Sequence, residues 1–115
     1  MQKVILYYKF VPLRDPEAVR LWQRGLCEQL NLRGRILISE HGINGTLGGN
    51  LKDLKAYARA AKLFPPFKGL VFKWSDGGRN DFPKLVVKVR PEIVTFNATE
   101  ELKVNENNWP QISNS

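Results

Sequence analysis

Two hydrophobic periods alternate along the chain, and they divide it into strands and helices. Lys3 to Val11 (KVILYYKFV) is β-branched and aromatic with period two, which predicts a first strand. Its alternation sets Val4, Leu6, Tyr8 and Phe10 on one face and Lys3, Ile5, Tyr7 and Lys9 on the other. The uniformly apolar set is the expected core face. Asp15-Pro16-Glu17 then supplies an N-cap, a proline at the first helical position and an acid in the first turn, so a helix is expected to about Asn31. Val19, Trp22, Leu26, Cys27 and Leu30 form its buried stripe, and Arg33-Gly34 ends it.

Arg35 to Glu40 reads as a second strand, followed by a turn at His41-Gly42 and a third strand within the glycine-rich run Ile43 to Gly49. Asn50 is the next N-cap, with Leu51, Leu54, Tyr57, Ala58 and Ala61 on the inner face of a second helix. Lys52, Lys55, Arg59 and Lys62 lie opposite, and Pro65-Pro66 stops that helix. Leu70 to Trp74 makes a fourth strand with Leu70, Phe72 and Trp74 inward, and Ser75 to Asp81 is a loop. Lys84 to Arg90 makes a fifth, with Leu85, Val87 and Val89 inward and Lys84, Val86, Lys88 and Arg90 outward.

The order β-α-β-β-α-β-β predicts an α+β, ferredoxin-like sandwich: an antiparallel sheet with two helices on one face. The other face is then open, and the alternation assigns it Lys3, Lys9, Lys73, Lys84, Lys88 and Arg90, with Tyr7 among them. Residues 1–96 are expected to form this domain. Residues 97–115 are asparagine-rich and lack apolar periodicity, which reads as a linker or disordered tail.

Charge sharpens this picture. Of 18 Lys+Arg and 11 Asp+Glu in 115 residues, residues 1–96 carry a net +9 and the remainder −2. A polycationic domain attracts nucleic acid, an anionic membrane or an acidic protein. No apolar run approaches the roughly 20 residues of a spanning helix, and the N-terminus runs straight into a strand. With a single cysteine, no internal disulfide is available, so a soluble, cytoplasmic protein is expected.

The basic sheet face is the leading candidate site. RNA-binding domains of this topology stack bases on sheet aromatics and hold phosphates with lysine and arginine, which nominates Lys9, Lys73, Lys84, Lys88 and Arg90 for phosphates and Tyr7 for stacking. The RNP1 pattern of RNA-recognition motifs is absent, and a solvated face kept soluble by lysines is the alternative. The row Lys52, Lys55, Arg59, Lys62 is what any surface helix presents. Glu40 to Thr46 places polar groups between glycines, where backbone amides approach an anion, or else forms a hairpin in which Asn44-Gly45 takes positive φ. Arg14, beside a helix N-terminus, is a further anion candidate. His41 is the only histidine, and Cys27 sits on an apolar stripe as an inert core thiol, so no metal or oxygen-activating cofactor site is expected.

Three stretches in order carry a resemblance: Tyr8-Lys9-Phe10-Val11-Pro12-Leu13 with Asp15-Pro16; Gly42-Ile43-Asn44-Gly45-Thr46 with Gly48; and Phe82-Pro83-Lys84-Leu85-Val86-Val87-Lys88-Val89 with Glu92-Ile93-Val94-Thr95. Over about residues 3–106 the chain resembles the N-terminal domain of the rhodanese-related tRNA uridine hydroxylases. His41 before Gly42 and Phe72-Lys73-Trp74-Ser75-Asp76-Gly77 are similar to the actinobacterial branch. The resemblance implies an acylphosphatase-like domain preceding a rhodanese domain, in a family that makes 5-hydroxyuridine at the tRNA wobble position with oxygen. The essential cysteine of that family lies in the rhodanese loop, which has no counterpart among these residues, and Cys27 does not match it. No catalytic residue carries over.

His41, Gly42, Asn44, Gly45 and Thr46 are instead expected to shape a tRNA-facing or interdomain surface. Acylphosphatases hold phosphate with an arginine in a glycine-rich loop after the first strand and position water with an asparagine near the central hairpin, and Arg14 and Asn44 fall in roughly comparable places. Val11-Pro12-Leu13-Arg14, however, lacks the glycines of their cradle. The expectation is an accessory domain that positions tRNA for a rhodanese domain. The alternatives are a small phosphate hydrolase using Arg14 and Asn44, or a purely structural interdomain module.

Overall fold

A computed structural model describes residues 1–91. The expected tail at 97–115 and the stretch Glu92 to Thr95 lie outside the described residues. The elements are β1 (Gln2–Phe10), α1 (Pro16–Gln29), β2 (Arg33–Ser39), β3 (Gly42–Asn50), α2 (Leu51–Leu63), β4 (Lys73–Ser75) and β5 (Leu85–Val89), with short 3₁₀ turns at Pro65–Phe67 and Arg79–Asp81. The strands form one sheet in the order β4-β1-β3-β2-β5. It is antiparallel across the first four, and β5 joins β2 in parallel at the edge.

Local chemistry sets each boundary. Asp15 caps α1 by accepting from the Ala18 amide at 3.1 Å, and Pro16 begins the helix where its missing N–H is harmless. The helix ends earlier than the sequence suggested. Asn31 takes the left-handed conformation (φ 59°), which lets the Leu32 amide reach the Cys27 carbonyl at 2.9 Å and the Asn31 amide reach that of Glu28 at 3.2 Å. Asn50 caps α2 through the Lys52 amide. The fourth strand is shorter than expected: the Leu70 amide bonds the Phe67 carbonyl at the end of a turn, and the chain pairs with β1 only from Lys73.

Both helices cover one face of the sheet, where Ile5, Ile36, Ile38, Ile43, Leu47 and Val87 meet Val19, Cys27, Leu54, Tyr57 and Ala61. At its centre is a buried polar relay. Tyr7 of β1 hydrogen-bonds Tyr57 of α2, whose hydroxyl donates to the side-chain carbonyl oxygen of Gln23 on α1. The Tyr57 proton is committed to Gln23, so Tyr7 is the donor in the first bond. Gln23, which the apolar stripe had passed over, is fully buried. The Tyr7 ring lies across Gly45, its partner on β3, and a Cβ at that position would overlap the ring.

This arrangement corrects two expectations. Asn44 and Gly45 are interior residues of β3 and neither has positive φ; in the hairpin that conformation belongs to Gly42 (φ 153°), directly after the two-residue turn. The face of β1 is also inverted, with Ile5 and Tyr7 inward and Val4, Leu6, Tyr8 and Phe10 on the side away from the helices.

Two consequences are measurable. Gly45→Ala forces the Tyr7 ring off its seat, and overpacking of this kind costs about 1–3 kcal/mol. Urea denaturation will show that loss, and the same substitution will cost less in a Tyr7→Leu background, where the ring is gone. Burial also pushes the Tyr7 and Tyr57 hydroxyls above the ordinary tyrosine range and the Cys27 thiol up to about 12. The folded chain therefore keeps protons that the unfolded chain releases near pH ~8.5 for cysteine and ~10 for tyrosine. This stability is fully present below pH ~8.5 and lost as pH rises, more steeply above ~10. Urea midpoints at pH 7, 9 and 10.5 will fall in that order, and Cys27→Ala will flatten the first step.

Candidate nucleic-acid interface

Strand pairing determines which side chains share the face that the helices leave open, because paired residues point the same way and alternate along each strand. One row runs from Lys73 on β4 through Leu6, Thr46 and Arg35 to Val86 on β5. The next holds Tyr8, Asn44, Leu37 and Lys88, and a third holds Phe10, Gly42 and Ser39. Continued alternation puts Lys84 and Arg90, which flank β5, on the side of Val86 and Lys88; their backbones are tied to β2 through Gly34 and Ile38.

The row before these, with Val4, Gly48 and Arg33, is closed by the loop after β4. Gly78 and the Phe82 ring lie where a Gly48 side chain would be, and the Arg33 guanidinium donates to the Phe82 carbonyl at 3.3 Å. Asp81 accepts from the Gly78 amide at 2.9 Å and Gln2 from the Arg79 amide at 2.8 Å, so the loop is pinned at both ends. It forms a wall at one end of the face.

On the exposed part, Tyr8 and Phe10 are 58% and 61% accessible and touch edge to face with centroids 5.8 Å apart. Around them stand Lys73, Lys84, Lys88, Arg90 and Arg35, all exposed. Among the described residues none of these five cations is in an ion pair; the three pairs present are Lys3 with Asp76, Glu17 with Arg20 and Arg24 with Glu28. The surface combines uncompensated positive charge with exposed aromatic rings, a pairing suited to phosphates and bases.

The structure divides the residues nominated from sequence. Lys73, Lys84, Lys88 and Arg90 belong to the open face. Tyr7 does not: it is 5% exposed and bonded to Tyr57 inside the core, so it offers no ring for stacking. Lys9 shares its parity, paired with Ile43 on the helix side, with its amine over Gly69. Sequence reasoning missed Tyr8, Phe10 and Arg35. The alternation of Ile36 and Ile38 against Arg35 and Leu37 on β2 was the signal, since only one of those faces is uniformly apolar.

The anion candidates are also separated. The Val11 amide donates to the His41 carbonyl and the Leu13 amide to that of Glu40, both at 2.9 Å, and Pro12 has no N–H. The loop that would cradle a phosphate has its donors committed to the hairpin turn. Asn44 stands mid-strand on the open face, whereas Arg14 belongs to the connection into the helical layer. His41 is exposed in the turn, and Cys27 is buried. Gly42, Gly45 and Thr46 have backbone or sheet roles described above. Among the described residues no group of three or more His, Cys, Asp or Glu is placed to hold a metal ion, and no helix is long and apolar enough to cross a membrane.

A family model described as the UPF0176 acylphosphatase-like domain matches residues 2–93. The chain is 66% identical over 105 residues to a tRNA uridine(34) hydroxylase of Corynebacterium efficiens and 65% identical to one of Corynebacterium glutamicum. In each case 91% of this chain aligns with 34% of the relative, so the chain spans about a third of the length of these curated relatives. Among solved structures, BlrB, a BLUF protein in its dark state, superposes with a TM-score of 0.63 at 18% identity, covering 77% of this chain and 73% of that one. Full-length HypF superposes with a TM-score of 0.56 at 16% identity, over 77% of this chain and 12% of its own. These two likenesses establish the fold alone.

Proposed function

The chain belongs to the family of UPF0176 acylphosphatase-like domains, and from that premise we propose that it is the tRNA-holding accessory domain of a tRNA uridine-34 hydroxylase. It corresponds to the N-terminal part of such enzymes, and it presents wobble-position tRNA to a separate, rhodanese-type catalytic domain in the cytoplasm. The observation that carries this reading is the open sheet face, where Lys73, Arg35, Lys84, Lys88 and Arg90 stand without anionic partners among the described residues. A surface of this kind draws in a polyanion by releasing its counterions, and the cations on both edges of the sheet fix the strand across it. The hydroxylation belongs to the partner domain.

The phosphate-hydrolase alternative finds no support in the loop after β1, whose amides already bond the hairpin turn. An interdomain surface also carries aromatic rings and arginine, and what favours tRNA over such a contact is the number of cations on this face that stand without an anion among the described residues.

The test is binding of the 115-residue chain to unmodified tRNA, titrated at several salt concentrations. Affinity is expected to fall steeply with salt, and Arg35→Ala, Lys73→Ala and Lys88→Ala each to weaken binding and reduce the logarithmic salt slope by about 1. Lys55→Ala and Arg59→Ala on α2 are expected to leave it unchanged. Binding lost in the α2 variants but kept in the sheet variants would move the site to the helical side, and absence of binding at low salt would remove the tRNA reading altogether.

A further inference from the structure

Phosphate attraction alone leaves two features of the open face unused: the Tyr8–Phe10 pair, and a shallow niche where the face ends against the β2–β3 turn. The niche is lined by Phe10, Val11, Pro12, Glu40 and His41. Its walls are held in place before any ligand arrives. The Val11 amide bonds the His41 carbonyl, the Leu13 amide bonds that of Glu40, and the His41 amide bonds the Ser39 hydroxyl, all at 2.9 Å. The niche thus continues the aromatic row beyond Phe10 onto a rigid shelf.

Its chemistry differs from that of the rest of the face. Phe10, Val11 and Pro12 are apolar, and the carboxylate of Glu40 stands at the margin of an otherwise cationic surface. A phosphate would be repelled there. A carboxylate accepts hydrogen bonds only, so it suits a ligand edge that presents N–H groups, and an apolar shelf with an exposed ring suits a flat aromatic body. In a polyanion drawn to the neighbouring cations, the part with a flat body and an N–H edge is a nucleobase, and its edge is accessible only when the base is unpaired.

We propose that this niche receives one unpaired nucleobase of the RNA strand, stacked on Phe10 with its Watson–Crick edge toward Glu40, and that Tyr8 stacks its neighbour. Glu40 favours a base with two adjacent donors on that edge, guanine, over adenine, which offers one donor beside an acceptor. The inference rests on the tRNA reading and goes beyond it in naming single-stranded RNA, and one base type, as what the face selects.

Fluorescence anisotropy with labelled hexaribonucleotides tests it on the 115-residue chain. A uridine hexamer carrying one central guanine is compared with its adenine counterpart, and with the guanine strand annealed to its complement. The guanine strand is expected to bind more tightly than both. Phe10→Leu, at a surface position that leaves the core intact, is expected to weaken single-strand binding between about five- and a hundred-fold, the range of one lost stack, and to leave duplex binding unchanged. Glu40→Gln is expected to abolish the guanine preference while keeping the affinity for the adenine strand within about two-fold. Equal binding of single strand and duplex, with Phe10→Leu silent, would overturn the niche while leaving phosphate-driven tRNA binding in place. A guanine preference that survives Glu40→Gln would overturn the assignment of the base edge. Failure of every oligonucleotide and of tRNA at low salt would overturn the tRNA reading as well.

Discussion

The orientation of the whole molecule depends on one phenol. Tyr7 lies across Gly45 at the centre of the sheet and hydrogen-bonds Tyr57 of α2, which in turn bonds Gln23 of α1. The relay ties the middle of β1 to both helices at once, and through the pairing of β1 with β3 it determines which side of the sheet they cover. A buried hydroxyl without a partner would cost about 1–3 kcal/mol, and the relay gives each of the two phenols one. One donor, the Gln23 amide nitrogen, is left without a partner in the described structure. Because Tyr7 faces inward, Tyr8 and Phe10 must face outward, and the character of the exposed surface follows from the same residue that organises the interior.

Most of the architecture was legible in the sequence. The caps Asp15 and Asn50 and the stripes of both helices are written in period and punctuation, whereas on the edge strands the expected inward residues Trp74 and Val89 are 41% and 39% exposed because little packs over the sheet margins. The first strand was misread because both of its faces are apolar in the middle. Val4, Leu6, Tyr8 and Phe10 form an unbroken apolar set, whereas the true core set begins and ends with lysine. Hydropathy prefers the unbroken set. The structure prefers the other because Lys3 and Lys9 stand near the two ends of the strand, where their long stems carry the amines outward, Lys3 to Asp76 at 3.2 Å. The Tyr7 hydroxyl meanwhile finds partners that no local pattern reveals, since Tyr57 is 50 residues away along the chain.

The glycine-rich stretch was ambiguous for a related reason. Its composition suits an anion cradle, a turn or close backbone packing, and the choice depends on residues far away in sequence. Gly45 is required by Tyr7, Gly48 by the loop at Gly78 and Phe82, Gly49 by Leu32, and only Gly42 by its own backbone conformation. The run is therefore a record of what crosses β3 on both faces. The same accounting removes the phosphate cradle: each backbone donor between Val11 and Leu13 is already matched to the turn it packs against.

An outward-facing strand that needed only to stay soluble would place threonine or lysine at positions 8 and 10. Instead it carries two large rings that return little to the fold. Their mutual edge contact is worth about 0.5–1.5 kcal/mol at most, set against residues that are 58% and 61% exposed to water. The rings also share their face with cations, Lys73 on the adjoining edge strand β4 and, farther across the sheet, Arg35 on β2 and Lys88 on β5. Charge at this spacing keeps the apolar row from associating with itself, and it supplies the long-range attraction that brings an anionic ligand to rings that act only at contact. The two features reinforce one another only for a ligand that is both polyanionic and aromatic. RNA meets both conditions, whereas an acidic protein surface meets the first and an apolar interdomain contact at most the second.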